Sequence, residues 1–541
     1  MKIYLVGGCV RDKLLGIEPK DLDYVVVGGN PEYFLSKNYQ QVGADFPVFL
    51  HPETKDEYAL ARKERKVGDG YHGFECQYDE SVSLEEDLMR RDLTINSMAM
   101  DDSNHIIDPF MGKRDLVDKK LRHVSNHFRE DPLRVLRVAR FLARYKKLGF
   151  SIHPNTMDLM KEMTDAGELN HLTPERIKLE TDKALLEHNP EEYFYALKEC
   201  GALKIVFPEI NDLFGVPQPS EHHPEIDSGI HTMMVLQQAR KIADQYDSKE
   251  HKLTLLWSSL LHDLGKAITP KDMLPRHIGH EKAGVPIIES LADRIKLSSK
   301  ERYIAKSTSK QHLNVHKVFS IKTINIYEKI LKPIDAIRNP INLRILVDAC
   351  KADARGRTGF EDRDYPQRDF LITVLDNIKN IDQGLIAKKV MDDQSISKED
   401  KINIIKENIK NRHIQCIHQT RSFFNEKEKY FSFFKKIINE DIKEIKLNEL
   451  SMLKSIGDET YVQKSILSNF PKNEKIISII SDFSESIRAN SYKNFSDEER
   501  RTFEGSQIGK RISQKQEWII QLFLKDLSNY KKLKRKIDNK I

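Results

Sequence analysis

Apolar and polar positions follow two regimes along this chain of 541 residues. Up to about residue 125 the apolar positions come in short β-branched runs between Gly-containing turns. That pattern predicts strands over Ile3–Val6, Tyr24–Val27, Pro47–Leu50 and Glu57–Ala61. From Asp131 the period lengthens: Leu133, Leu136, Val138, Phe141 and Leu142 make a helical stripe beside Arg134, Arg137, Arg140 and Arg144. Helical patterning then continues, punctuated at Gly215-Val216-Pro217, Pro270 and Lys332-Pro333, with no internal repeat. Near Ile414 the composition shifts toward Lys, Asn, Ile, Ser and Phe, with aromatic clusters at Phe423-Phe424 and Tyr430–Phe434. The expected class is α+β: an α/β head followed by an all-helical remainder.

Composition narrows the partners only slightly. The length calls for several domains. Hydrophobic residues at 39% and charged residues at 32% fit a soluble globular protein. A net charge of +5 permits a nucleic-acid partner without demanding one. The basic run Lys531, Lys532, Lys534, Arg535, Lys536 reads first as a solvated face and second as an RNA contact. Five scattered cysteines with no Cys-x-x-Cys pair suggest neither a disulfide framework nor a thiolate zinc site. No apolar stretch approaches the roughly 20 residues of a membrane span, and a strand from the first residues argues against a signal peptide. The expectation is a cytoplasmic protein.

The chemistry starts at the N-terminus. The first strand runs into Gly7-Gly8-Cys9-Val10-Arg11-Asp12, a turn whose backbone can approach a phosphate. Asp21-Leu22-Asp23 opens the second strand, where period 2 would put both carboxylates on one face. A pair of Asp suits Mg²⁺, which takes few carboxylates and leaves room for substrate phosphates. Alone, the pair would read as a solvated turn; beside a phosphate-sized Gly turn it reads as a nucleotidyl-transfer site. Glu57 is a weaker third acidic candidate. Arg11, Arg91, and the pair Arg137 and Arg140 on one helix face are the candidate triphosphate ligands.

Taken together, these stretches resemble the bacterial CCA-adding enzymes, the tRNA nucleotidyltransferases whose head is shared with bacterial poly(A) polymerases. The resemblance rests on Leu5–Gly16, Asp21-Leu22-Asp23, Arg90–Asn96, Glu130-Asp131-Pro132-Leu133-Arg134 and Arg137–Phe141. Cys9 stands where the family usually has a small residue such as Ala, a minor departure. The resemblance implies a DNA polymerase beta-like head with a mixed sheet. It also implies that Gly8, Arg11, Arg91, Arg137 and Arg140 bind the nucleotide and that Asp21 and Asp23 hold Mg²⁺. It makes Glu130-Asp131-x-x-Arg134 the template for base choice. Physical reasoning agrees. Cytosine and adenine each show an amino donor beside a ring-nitrogen acceptor, which an Asp acceptor and an Arg donor complement, whereas guanine and uracil present the opposite polarity. Unpaired buried polar groups cost about 1–3 kcal/mol each. Asp131-Pro132 also reads as a helix start, with Asp131 as N-cap and Pro132 at the first position. Cap and base would then compete for one carboxylate.

A second cluster follows an apolar helical stretch. His262-Asp263-Leu264-Gly265-Lys266 stands between an upstream His231 and the downstream His277, His280, His312, His316 and Asp353. This order resembles the HD phosphohydrolase superfamily. That likeness implies His231, His262, Asp263 and Asp353 as ligands of a divalent metal, with His280 and His312 as possible ligands of a second. Imidazole ligands favour Ni²⁺, Mn²⁺ or Fe²⁺ over Mg²⁺. The same cluster occurs in a subset of CCA-adding enzymes associated with 2′,3′-cyclic phosphodiesterase, 2′-nucleotidase and phosphatase activities.

The expected organisation is a head over 1–125, a helical neck and body over 126–225 and an HD domain over 226–360. A helical tail over 361–413 and an extension of unplaced role over 414–541 complete it. The expected activity is template-independent addition of CCA to tRNA from CTP and ATP, by a monomer or homodimer. The alternatives are a poly(A) polymerase or partial CC- or A-adding enzyme on the same head, and a non-catalytic RNA-binding protein.

Overall fold

The computed structural model describes residues 1–19, 21–42, 48–66, 74–77, 81–221 and 224–438. The chain divides into two units, Met1–Arg421 and Ser422–Ile541. Of the second, only 422–438 are described. The basic run at 531–536 and most of the expected extension therefore lie outside the described residues.

The head is built on a seven-stranded sheet in the order β3-β4-β5-β2-β1-β8-β9. Its strands are β1 (Lys2–Val6), β2 (Asp23–Val27), β3 (Gln40–Val42), β4 (Val48–Leu50), β5 (Glu57–Leu60), β8 (Ala99–Met100) and β9 (Ile106–Ile107). β6 (Lys63–Lys66) and β7 (Phe74–Gln77) form a separate antiparallel pair. β2 and β5 are parallel and the other ladders antiparallel, so the sheet is mixed. Period-2 alternation gives the sheet two apolar faces. Val6, Val25, Leu88 and Ala99 pack on one; Val26, Phe34, Phe49 and Leu60 pack on the other. The flanking helices are α1 (Gly8–Leu14), α2 (Pro31–Ser36), α3 (Leu84–Met89) and α4 (Gly112–Val117). The expected strands appear, with Pro47 outside the described residues. β8 and β9 are two residues each, too short for their periodicity to be read from the sequence.

Beyond a small parallel pair, β10 (Lys120–Leu121) and β11 (Ser151–Ile152), the unit is helical. The body holds α5 (Leu133–Tyr145), α6 (Pro154–Asp165), α7 (Pro174–Leu185), α8 (Pro190–Glu199), α9 (Ala202–Val206) and α10 (Pro208–Asn211). Four of these begin with Pro, whose missing N–H is harmless at a helix start. α5 packs against α7 and α8. It is buried nearly all round, Arg134 and Arg140 included. A second bundle comprises α11 (Ser228–Ala243), α12 (Lys249–Leu261), α13 (His280–Ile295), α14 (Ser299–His316) and, after the short α15 (Thr323–Ile326), α16 (Pro340–Arg355). α17 (Pro366–Lys379), α18 (Gln383–Asp392) and α19 (Lys398–Ile438) follow. No helix among the described residues is long and apolar enough to cross a membrane.

Candidate active sites

The first site is a cleft of about 620 Å³ where the edge of the head meets α5 and α7. Nine of its lining side chains are arginines (Arg11, Arg62, Arg90, Arg91, Arg134, Arg137, Arg140, Arg144, Arg176) against three aspartates, Asp23, Asp92 and Asp131. This excess of fixed positive charge suits a polyanion such as a nucleoside triphosphate. Gly7 and Gly8 form one wall. Gly7 has φ 74° and ψ −128°, a backbone state essentially restricted to Gly. A Cβ there would lie 2.8 Å from Arg91 Nη1. Glycine therefore lets the chain turn from β1 into α1 while Arg91 closes over the turn.

The four arginines expected to bind the nucleotide, Arg11, Arg91, Arg137 and Arg140, are each held by a buried partner. Arg11 donates through Nε to Asp12 Oδ1 at 2.9 Å and through Nη1 to Asn96, with its guanidinium over the Tyr145 ring at 5.3 Å. Arg91 pairs with Asp87 at 3.0 Å, while its buried Nε has no hydrogen-bond partner. Arg137 pairs with Asp92 at 2.7 Å. Arg140 pairs with Glu180 and stacks over Phe141 at 4.6 Å. Burial alone would raise the Asp92 and Asp87 carboxyls; the neighbouring guanidiniums outweigh it and hold both below the usual carboxylate range.

The carboxylates differ in one respect from the sequence expectation. β2 begins at Asp23, so Asp21 sits in the bend before it, exposed, rather than on the strand. Asp21 does not line the cleft, whereas Asp23 does. The register partner of Asp23 on the parallel strand β5 is Glu57, which puts the two on one face. Among the described residues none of the three makes a side-chain hydrogen bond or ion pair. Burial raises both Asp23 and Glu57; at Asp23 Arg91 opposes the shift, Asp21 adds to it and Arg11 opposes it, while at Glu57 Asp23 and Asp21 add to it. Unpartnered carboxylates that repel one another fit a divalent cation of hard-oxygen preference.

The base-template candidates Asp131 and Arg134 line the same cleft. The expected cap is corrected: α5 starts at Leu133, Pro132 holds the cap position, and Asp131 precedes it in extended backbone. The Asp131 side chain still accepts from Leu133 N at 3.0 Å. Arg134 is anchored by two backbone carbonyls, those of His127 and Arg90. Glu130 turns to His127 at 2.7 Å. Arg144 and Arg176 join the cleft without having been singled out. Arg144 stood in the helical stripe as one arginine among four, and Arg176 is 45 residues from its partner Asp131, where no local motif could link them.

The second site lies inside the bundle of α11 to α16. His231 comes from the first turn of α11, His262 caps α12, His280 starts α13, His312 and His316 end α14, and Asp353 ends α16. An added Cβ on Gly265 would lie 2.1 Å from His280 O, so glycine is what lets the turn after Asp263 press against α13. The ligand-type atoms form two triplets, each within 4.8 Å: His231, His262 and Asp353, and Asp263, His280 and His312. Asp263, expected beside His231, His262 and Asp353, falls in the second triplet but stays close to the first. Its Oδ2 lies 3.0 Å from His262 Nε2 and its Oδ1 3.2 Å from His280 Nε2, so it bridges the two groups.

The histidines have the orientation that metal ligation would require. Nδ1 of His231, His262, His312 and His280 faces the backbone carbonyls of Gly356, Ser259, Ser309 and His277. With Nδ1–H donating there, each Nε2 keeps its lone pair toward the cluster. Buried His262 Nε2 and Asp263 Oδ1 make no hydrogen bond of acceptable geometry. Burial pushes His312 down to about 3, which keeps it neutral. Both triplets therefore fit a divalent metal with nitrogen and carboxylate ligands. His277 does not belong: its two nitrogens face Thr269 and the Pro217 carbonyl. His316 instead holds the free oxygen of Asp353 at 2.6 Å, and its Nδ1 is 2.8 Å from the Tyr365 hydroxyl. Lys266 reaches Asp263 at 2.6 Å.

Residues 3–122 match the family model of the poly A polymerase head domain. Residues 149–214 match that of a probable RNA- and SrmB-binding site of polymerase A, and 229–354 that of the HD domain. A multifunctional CCA protein of Actinobacillus pleuropneumoniae serotype 5b (strain L20) is 50% identical over 415 residues, 76% of this chain and 100% of its own length. One from Acinetobacter baumannii (strain AYE) is 52% identical over 381 residues, 70% of this chain and 90% of its own. Among solved structures, an apo form of a CCA-adding enzyme aligns with a TM-score of 0.52 at 20% identity, covering 77% of this chain and 90% of its own. A Thermotoga maritima CCA-adding enzyme complexed with tRNA gives 0.51 at 17% identity, covering 78% and 91%. These two likenesses concern the fold.

Proposed function

The chain belongs to the multifunctional CCA protein family, and from that premise we propose that it builds and repairs the CCA end of tRNA from CTP and ATP. One observation carries the reading. A single cleft is lined by the Gly7-Gly8 turn and Asp23, by Asp131 and Arg134, and by a set of arginines. The phosphate-binding and base-reading groups of one nucleoside triphosphate thus share one cleft.

In this reading Arg11 and Arg91 receive the triphosphate and Arg137 and Arg140 grip the nucleotide. Their buried partners hold the guanidiniums in place, so little ordering is left to binding. The tRNA 3′-hydroxyl attacks the α-phosphate and pyrophosphate leaves. Mg²⁺ at Asp21 and Asp23, with Glu57 beside them, would supply charge neutralisation for the attacking and leaving oxygens. Asp131 accepts from the amino group of cytosine or adenine while Arg134 donates to the ring nitrogen. No base-paired template is needed, because the protein edge itself selects the base.

The second site supports a phosphohydrolase acting on 2′,3′-cyclic or 2′-terminal phosphates. His231, His262 and Asp353, and Asp263, His280 and His312, would hold two ions, Ni²⁺ or Mn²⁺ by ligand chemistry, which would supply water activation. The 160 Å³ recess over them is lined by Lys266 and Arg357, suited to a phosphate group. The two activities have a common logic: a cyclic phosphate blocks the 3′-hydroxyl that the transferase needs. The domain organisation proposed is a head, a helical body, an HD domain and an added C-terminal segment.

The test is incorporation of labelled CTP and ATP into tRNA lacking CCA. Asp21→Ala with Asp23→Ala should abolish incorporation, and retained activity would refute the carboxylate assignment. His262→Ala should spare addition to a free 3′-hydroxyl but abolish repair of tRNA ending in a cyclic phosphate. Undiminished repair would sink the coupling.

A further inference from the structure

We infer that Gln218 is a substrate-binding residue of the second site, donating from its side-chain amide to a phosphoryl oxygen of a ribose 2′- or 2′,3′-cyclic phosphate. The inference rests on the phosphohydrolase reading of that site and adds to it a residue from outside the helical bundle.

The orientation of the amide is settled by its neighbour. Gln218 is 2% exposed and lines the recess together with Asp263, Lys266, His280 and Arg357. Lys266 Nζ donates to Gln218 Oε1 at 2.5 Å and lies 2.6 Å from Asp263 Oδ2. An ammonium has donors only, so the amide oxygen must face it and the amide nitrogen must face away. That nitrogen, Nε2, is buried and has no hydrogen-bond partner among the described residues. A buried donor without an acceptor costs the fold free energy, which an acceptor bound in the recess would recover. Lys266 and Arg357 draw an anion there. An anionic phosphoryl oxygen also makes a stronger bond to an N–H than a neutral hydroxyl does.

The backbone that carries Gln218 is held from two sides. Gln218 N donates to Ile226 O at 2.6 Å, and Pro217 forms a β-bridge with Asp227, the N-cap of α11. Ile226 has φ 60°, an unfavourable state for a β-branched residue that persists only where its surroundings fix it. On the other side His277 Nε2 donates to Pro217 O at 3.0 Å, while its Nδ1 lies 2.8 Å from the Thr269 hydroxyl. His277, outside both triplets, therefore pins the turn that presents Gln218. Gln218 and Pro219 precede the segment matched to the HD domain, so the recess takes one wall from beyond that segment.

The experiment titrates inorganic phosphate, the reaction product, into the full chain loaded with Mn²⁺ and reads the heat. It also measures kcat and KM for hydrolysis of a 2′,3′-cyclic nucleotide. Gln218→Ala should weaken phosphate binding and raise KM by about tenfold, the worth of one hydrogen bond to a charged group, with Mn²⁺ affinity changed by less than about twofold. Gln218→Glu separates a donor from a tether. It keeps an acceptor for Lys266, loses the donor and faces the phosphate with a negative charge, so it should bind phosphate at least as weakly as Gln218→Ala. Wild-type phosphate affinity in either variant would overturn the inference, and in Gln218→Glu it would leave Gln218 as a tether for Lys266. A loss of Mn²⁺ affinity in Gln218→Ala as large as the loss of phosphate affinity would overturn it as well. If Gln218→Ala does not melt cooperatively, Gln218→Met keeps the bulk, removes the amide and serves the same test. A wild-type chain that binds Mn²⁺ but hydrolyses neither 2′- nor 2′,3′-cyclic phosphates would instead refute the phosphohydrolase reading itself.

Discussion

Asp92 touches four groups at once: its own helix turn through Leu93 N and Asn96 Nδ2 on Oδ1, and Arg137 through Nε and Nη2 on Oδ2. Its carboxyl is held below the usual range although burial opposes this. A depressed carboxyl stabilises the fold above its unfolded pKa near about 3.9, and that contribution is lost as pH falls through the folded value. Asp92→Asn should therefore cost about 2–3 kcal/mol at pH 7, less than a fully buried pair because Arg137 is a third exposed. The gap from wild type should begin to narrow below about pH 4 and close only as pH falls through the folded value, far below the usual carboxylate range; urea melts at several pH values check both. Gly7→Ala is predicted to cut kcat/KM for nucleotide addition about 100-fold, because the backbone and Arg91 must both move. Steady-state kinetics with unchanged values would contradict this. Local motifs made Gly8, Arg11, Asp23 and Arg134 readable in sequence, since each signal fits within a few residues. Glu180 and Arg176 were not readable, because an ion pair closing over 40 or 45 residues leaves no periodic trace.

At the level of elements, short motifs become sites only where helices converge. His312 and His316 lie one turn apart on α14, but they serve different functions because Asp263 meets one and Asp353 the other. Tyr365, just before α17, lies past the segment matched to the HD domain, yet it fixes His316 and through it Asp353. Such outer partners orient a ligand carboxylate and tune its affinity. Tyr365→Phe should weaken Mn²⁺ binding about tenfold by titration calorimetry, with the melting temperature little changed. Unaltered affinity would assign Tyr365 to packing alone. The helical pattern from Asp131 onward was legible from apolar spacing. The burial of Arg134 and Arg140 was not, since an arginine stripe reads as a solvated face until the partners across it are known.

At the scale of the whole molecule, the transferase cleft and the metal-type cluster both belong to the unit Met1–Arg421. The relative matched over its full 415 residues covers 76% of this chain, so about a quarter of the chain has no counterpart in it. A chain ending at Arg421 should therefore keep nucleotide addition and phosphohydrolysis within about twofold of the full chain. Loss of either would make the remainder part of that site. In the proposed function one protein edge selects C, C and then A without a template. The most direct measurement is the product ladder on tRNA lacking CCA, with all four nucleoside triphosphates present and each labelled in turn. Growth by three nucleotides is expected, two from CTP and one from ATP, followed by arrest, with UTP and GTP excluded. A poly(A) tail, a ladder that stops at CC or takes only A, or incorporation of UTP comparable to CTP would contradict it.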